Sequence, residues 1–115
     1  MKPPGDDTRR IECKSENDSV NLNVNEQVWY GFHRHGSVGE DAEFEIGDTE
    51  ILTHERTETE YLHPEHMKKP GWTGGDEERG KWFFRALKPG TTTLTVRILF
   101  RFDVESECRL KVIVE

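Results

Sequence analysis

Five histidines are the residues whose types and spacing most readily suggest a reactive centre in this sequence. His33 and His35 are two positions apart, so an extended backbone would place both imidazoles on one side. His63 and His66 form a second pair around Glu65. A zinc site needs three or four such ligands, and neither pair has a spacing typical of one. We therefore interpret the histidines as polar surface residues and expect no metal and no other cofactor.

Nucleophilic catalysis also has little support. A cysteine nucleophile needs a partly exposed thiol beside an imidazole, whereas Cys13 and Cys108 lie in strand-like segments near the two ends of the chain. Ser37 stands in the stretch GSVG, which lacks the G-x-S-x-G spacing of a nucleophile elbow. The 23 acidic residues are numerous, but acid–base catalysis needs carboxyl groups whose environments separate their pKa values. We expect that the protein is not an enzyme.

The two cysteines are also candidates for a disulfide. The terminal strands of a β-sandwich often lie close together, so a bond between Cys13 and Cys108 is geometrically reasonable. It would enclose most of the chain and stabilise the fold by about 4 kcal/mol in the loop-entropy model. The alternative is a pair of unrelated buried thiols.

Length and charge exclude several classes of function. A chain of 115 residues forms one domain. Its net charge of -7 repels nucleic acid, and no stretch approaches the roughly 20 apolar residues that span a bilayer. The opening MKPPGDDTRR is not a signal peptide, and we expect the mature form of a secreted or cell-envelope protein. Residues 1–9 are predicted to be a flexible tail and residues 10–115 a single, monomeric domain.

Apolar and polar residues alternate with period two along most of the chain, which predicts β-strands. The alternating stretches are VNLNVN, QVWYGF, AEFEI, LTVRILFRFDV and RLKVIVE. The stretch ILTHERTETEYL is interpreted as two short extended pieces, and His63 to Gly80 as a long surface loop because it is rich in glycine, proline and charge. About seven or eight short strands without a convincing helix predict an all-β sandwich.

Three features of the sequence occur in an order that is typical of a known family. HGSVG at residues 35–39 follows the second main strand, WTGG at residues 72–75 follows in the predicted loop, and an aromatic strand then leads to Pro-Gly-Thr and a long alternating strand. From Val20 to Glu115 this order resembles the chagasin-like family of cysteine protease inhibitors. Those proteins are single immunoglobulin-like domains that insert three loops into the cleft of papain-like proteases. The resemblance implies an immunoglobulin-like antiparallel β-sandwich.

The family's three loop motifs are matched only in part. Its N-P-T-T-G loop falls at residues 35–39, where Gly39 matches and Ser37 echoes a threonine. Its G-x-G-G loop keeps the final pair of glycines, and its R-P-W motif is replaced by FRF at residues 100–102. The protease-binding residues that the resemblance implies are His35, Gly36, Ser37, Val38, Gly39, Trp72, Thr73, Gly74, Gly75, Arg101 and Phe102.

Two functions follow from this layout. The first is inhibition of a papain-like cysteine protease by loops at 35–39, 71–75 and 100–106, with glycines that let the backbone approach a surface and Trp72 as an aromatic anchor. The alternative is a non-inhibitory interaction module, which the acidic composition and the missing third motif favour. Such a module would use a sheet face, where Leu99 or Ile113 would join an apolar patch. An inhibitor should instead present its loops together at one end.

Overall fold

The computed structural model describes residues 8–14, 17–35, 39–61 and 77–115. No helix occurs in these ranges, and so none that could cross a membrane. The predicted all-β class is confirmed. The strands are β1 (Arg9–Ile11), β2 (Asn17–Leu22), β3 (Gln27–His35), β4 (Glu40–Ile46), β5 (Leu52–Tyr61), β6 (Glu77–Ala86), β7 (Gly90–Phe100) and β8 (Asp103–Val114).

The strands form two facing sheets. The first sheet has the order β1-β3-β6-β5 and the second β2-β8-β7-β4. They are continuous only where His35 of β3 pairs with Glu40 of β4. Aromatic rings meet between them: Phe44 of β4 lies edge-on to Trp82 and Phe84 of β6, at centroid distances of 5.0 and 5.1 Å. This packing of one sheet on the other confirms the predicted sandwich.

The sheets are mainly antiparallel, as predicted, but each has one parallel pair at an edge. β1 is parallel to β3, and β2 is parallel to β8. The chain therefore passes from the first sheet to the second between these two short strands, and each sheet gains a parallel edge strand. Cys13 lies in this passage and is joined by a disulfide to Cys108 of β8, with the Cα atoms 6.3 Å apart. β1 begins at Arg9, the last residue of the predicted tail.

The core lies where the alternation placed it. Leu110, Val112 and Val114 are 0%, 0% and 3% exposed, as the pattern RLKVIVE predicted. Val24 is an exception because β2 ends at Leu22 and Val24 falls in the following turn, where it is 38% exposed. Burial of the apolar face of each strand is the main source of stability of this fold.

Two predicted strand boundaries are wrong. The stretch at 52–61 is one strand rather than two pieces, with a register shift between His54 and Arg56. The alternation in LTVRILFRFDV does not belong to one strand, because β7 ends at Phe100 and β8 starts at Asp103 after a two-residue turn. The third loop is accordingly confined to residues 101–102, and 103–106 are strand.

The predicted loop from His63 to Gly80 is wrong at its end, because β6 begins at Glu77. Gly80 is a packing residue there: a Cβ atom at this position would lie 2.2 Å from Cζ of Phe32. The glycine thus makes room for a core aromatic ring instead of marking a turn.

Candidate functional site

Three connections of the sandwich start and finish at the same end. His35 pairs with Glu40 and with Glu77, and Glu40 pairs with Phe100. The end of β3, the starts of β4 and β6, and the end of β7 therefore lie side by side. The β3–β4 connection, the segment 62–76 between β5 and β6, and the β7–β8 turn all leave from this edge, which we call the loop end.

The described residues include four of the predicted site residues. They are His35, Gly39, Arg101 and Phe102. All four lie at the loop end: His35 is the last residue of β3, Gly39 precedes β4, and Arg101 and Phe102 form the β7–β8 turn, which is distant from Gly39 in sequence but adjacent in space. The remaining predicted residues lie outside the described ranges and stay predictions: Gly36, Ser37, Val38, Trp72, Thr73, Gly74 and Gly75.

Gly39 and Arg101 join the first and third connections. The backbone N–H of Arg101 donates a hydrogen bond to the carbonyl oxygen of Gly39 at 2.8 Å. Gly39 has a φ of 82°, and a Cβ atom there would lie 2.8 Å from Cγ of Arg101. Left-handed backbone and this close approach both require glycine. The one glycine that matches the family's first loop motif is therefore needed to hold two loops together.

Arg101 and Phe102 form the turn of the β7–β8 hairpin, and both have positive φ angles, 51° and 74°. Two consecutive positive φ values are the mark of a type I′ turn, which normally takes Asn-Gly because other side chains are strained there. A bulky residue in this region is a genuine outlier. Phe102 is nevertheless placed at this turn with 99% of its surface exposed, so its ring contributes almost nothing to the core. Strained residues of this kind cluster at functional sites.

The β7–β8 hairpin carries most of the exposed apolar surface. Six large apolar residues are exposed in the described ranges, and four of them lie between positions 98 and 104: Ile98, Phe100, Phe102 and Val104. The other two, Val24 and Leu87, lie at the opposite end. The predicted third loop at 100–106 included Phe100, Phe102 and Val104 but not Ile98, and only Phe102 was a predicted site residue, because the apolar run ILFRF resembles an ordinary core strand. The only sequence signal for this exposed surface is that apolar residues continue as far as Phe102, beyond the point at which the neighbouring strands give way to polar turns.

A groove of about 540 Å³ runs beside the hairpin tip and combines apolar and charged groups. Its apolar lining comes from Leu99 and Phe102. Residues of both positive and negative charge also line the groove, which lies between the first and third connections. Besides these two side chains, its lining residues are Arg34, Gly39, Glu40, Asp41 and Arg101.

Three carboxyl groups of the described residues have clearly lowered pKa values, and none of them lies at the loop end. Hydrogen bonds from the backbone N–H groups of Lys14 and Ser19 lower the pKa of Asp18. A hydrogen bond from Arg85 lowers the pKa of Glu55, and one from Arg97 lowers that of Glu107. Both are ion pairs on outer sheet faces. Their shifted pKa values therefore reflect structural pairing on the sheets.

Metal-binding groups do not converge within the described part of the chain. It contains no cluster of three or more His, Cys, Asp or Glu side chains suited to an ion. Nδ1 of His33 is 3.8 Å from a carboxylate oxygen of Glu40, which is an ion-pair contact when the imidazole is protonated. His63 and His66 lie outside the described residues.

Comparison with known proteins identifies the fold. No protein-family model and no curated protein sequence matches the chain. The crystal structure of the cysteine protease inhibitor EhICP2 from Entamoeba histolytica is similar with a TM-score of 0.71 and 13% identity, over 94% of this chain and 96% of that one. Amebosin has a TM-score of 0.61 and 15% identity, with 94% and 98% covered. PbICP-C, in its complex with falcipain-2, has a TM-score of 0.53 and 12% identity, with 94% and 98% covered. The chagasin-like fold predicted from the order of the parts is confirmed.

Proposed function

We propose that this protein inhibits papain-like cysteine proteases by placing its loop end in their active-site cleft. The observation that carries the proposal is the convergence of three connections at one end, with Phe102 fully exposed at a strained turn. The similar fold of EhICP2, a cysteine protease inhibitor, and of PbICP-C, which was solved with falcipain-2, supports the same partner class.

An inhibitor of this type needs no chemistry of its own. It fills the cleft with a preformed surface. Parts of this surface that are already ordered avoid the entropic cost of becoming ordered on binding. The hydrogen bond between Arg101 and Gly39 orders two of the loops before any partner arrives. Burial of a phenylalanine ring removes about 150–250 Å² from water, which corresponds to about 4–6 kcal/mol of gross hydrophobic free energy. Phe102 is therefore expected to act as an anchor.

The segment around Trp72 completes the proposed surface. Gly74 and Gly75 match the family's second loop motif, and β5 ends and β6 begins at the loop end. We assign Trp72 the role of a second aromatic anchor. Disulfides persist mainly in oxidising compartments, so the bond between Cys13 and Cys108 favours a location outside the cytoplasm.

The test is a titration of papain and of a cathepsin-L-like protease, followed by hydrolysis of a fluorogenic substrate. Wild-type protein is expected to abolish activity at a one-to-one ratio. Phe102→Ala should weaken inhibition by about 30- to 1000-fold, the range of a loss of 2–4 kcal/mol at a hot spot. Leu87→Ala is the matched control, because Leu87 is also exposed, at 41%, but lies at the opposite end; it should change inhibition less than about twofold.

Absence of inhibition by micromolar wild-type protein would contradict the proposal for these enzymes. The alternative of an interaction module that uses a sheet face has less support, because Leu99 and Ile113 are both partly buried. Ile113 pairs with Thr91, eight positions along β7 from Leu99. That separation is about 26 Å, so the two residues form no common patch.

A further inference from the structure

The two sheets part at a single point next to the loop end. β3 and β4 are paired only through His35 and Glu40. Beyond that pair β3 follows β6 and β4 follows β7, each in its own sheet. The first connection leaves the first sheet at His35 and enters the second sheet at Glu40, so its course depends on what holds the two sheets together at this split.

Arg34 lies in the split and contacts three strands at once. From β3, its Nε donates to Oδ1 of Asp41 and its Nη2 donates to the carbonyl oxygen of Ala42 at 3.3 Å, both on β4. Its Nη1 donates to Oε1 of Glu78 on β6 at 3.2 Å. The guanidinium also lies over the ring of Phe32, 4.9 Å from its centroid.

These contacts are more restrictive than an ordinary surface ion pair. The side chains of Arg34 and Glu78 are 34% and 14% exposed, so solvent screens their attraction less than it would for a fully exposed pair. A guanidinium presents its donors in a rigid planar fork, which fixes the directions of the acceptors as well as their distances. The bond to Ala42 also satisfies a backbone carbonyl on the edge of β4.

We propose that Arg34 is a positioning residue for the loop end. It ties the start of β4, where Asp41 lies two residues from Gly39, to the first sheet, and so acts together with the Glu40–Phe100 pairing to fix the carbonyl that accepts the Arg101 amide hydrogen bond. The consequence for binding, which rests on the proposed function, is that the first and third connections are already correctly placed relative to each other when the protein meets a protease. Arg34 lies outside all three loop motifs and acts through Gly39 and Arg101.

Arg97 provides a matched control. It also bridges two carboxylates, from Nε to Glu107 at 2.9 Å and from Nη2 to Glu45 at 3.3 Å. Its partners, however, lie on β8 and β4, strands that are already hydrogen-bonded to β7 within one sheet. Loss of Arg97 therefore removes comparable charge contacts without releasing one sheet from the other.

The experiment compares wild type with Arg34→Met, Arg34→Lys and Arg97→Met. Hydrogen exchange of the Arg101 amide, measured by NMR, reports the bond to Gly39, and titration of papain reports binding. Arg34→Met is expected to speed that exchange by about tenfold or more and to weaken inhibition by about tenfold or more. Arg97→Met should change both by less than about threefold. Arg34→Lys keeps the charge but lacks the planar fork, and should fall between wild type and Arg34→Met.

Unchanged exchange in Arg34→Met would overturn the positioning role, and so would an equal increase in Arg97→Met. Full recovery in Arg34→Lys would show that charge alone suffices and would overturn the three-strand geometry. If the wild-type protein fails to inhibit papain, the proposed function fails, while exchange of the Arg101 amide still decides the role of Arg34.

Discussion

Phe102→Gly is expected to stabilise the fold and to weaken protease inhibition at the same time. The φ of 74° places Phe102 in the left-handed region, which costs a residue with a Cβ atom about 1–2 kcal/mol. Glycine removes this strain. Because the ring is 99% exposed, its removal loses almost no burial. The expected gain is partly offset, since glycine makes the unfolded chain more flexible by about 0.5–1 kcal/mol.

The difference spans about 0–1.5 kcal/mol and centres on a net stabilisation of about 0.5–1 kcal/mol. For a chain of this length it corresponds to a rise in Tm of about 2–5 °C. Differential scanning calorimetry without reductant, so that the disulfide stays intact, measures it. Inhibition of papain is measured on the same samples and is expected to fall by about 30-fold or more. Opposite changes in stability and binding are what a strained functional residue should produce.

Val104→Gly is the control for this prediction. Val104 is also exposed, at 55%, but lies within β8 rather than at the turn. Glycine there should lower stability by about 0.5–1 kcal/mol, because glycine weakens a strand interior. A fall in Tm for Phe102→Gly similar to that of Val104→Gly would refute the account of strain. Unchanged inhibition by Phe102→Gly would refute the account of the anchor.

Two further predictions concern the contacts that hold the sandwich and its loop end. Gly39→Ala should lower the free energy of unfolding by about 1–3 kcal/mol in urea denaturation. The reason is that Gly39 has a φ of 82° and that a Cβ atom there would lie 2.8 Å from the side chain of Arg101. Gly31→Ala is the control, because φ of Gly31 is not positive; if Gly39→Ala destabilises the protein no more than Gly31→Ala does, the argument from backbone strain is wrong. Replacing both Cys13 and Cys108 by serine should destabilise the protein by about 2–4 kcal/mol, and an unchanged urea midpoint relative to the oxidised wild type would show that the disulfide does not stabilise the fold.

The sequence by itself determined the all-β class and the inward face of most strands. Alternation is a local property, since residues two positions apart share a face of a strand whatever it pairs with. The pattern RLKVIVE therefore placed Leu110, Val112 and Val114 in the core, where they are buried. The order of turns and strands also led to the correct fold, and the two loop regions whose ends are described, 35–39 and 101–102, lie at one end of it.

Tertiary contacts determined the features that local sequence patterns predicted wrongly. The alternation of ILFRF continues through Arg101 and Phe102 without a glycine, proline or asparagine to indicate a turn. The chain turns there because Glu40 pairs with Phe100 and because Arg101 bonds to Gly39, about 60 residues earlier. Gly80 likewise carries no local sign that it faces a phenylalanine ring.

The contacts of Arg34 also could not be predicted from local sequence patterns. Its partners lie on two other strands, one of them 44 residues away in sequence, and nothing in the neighbouring residues indicates them. Alternation depends on residues two apart, so it is readable from the chain itself. Which connections lie side by side, and which side chains Arg34 contacts, depend on which strands become neighbours, and only the folded sandwich decides that.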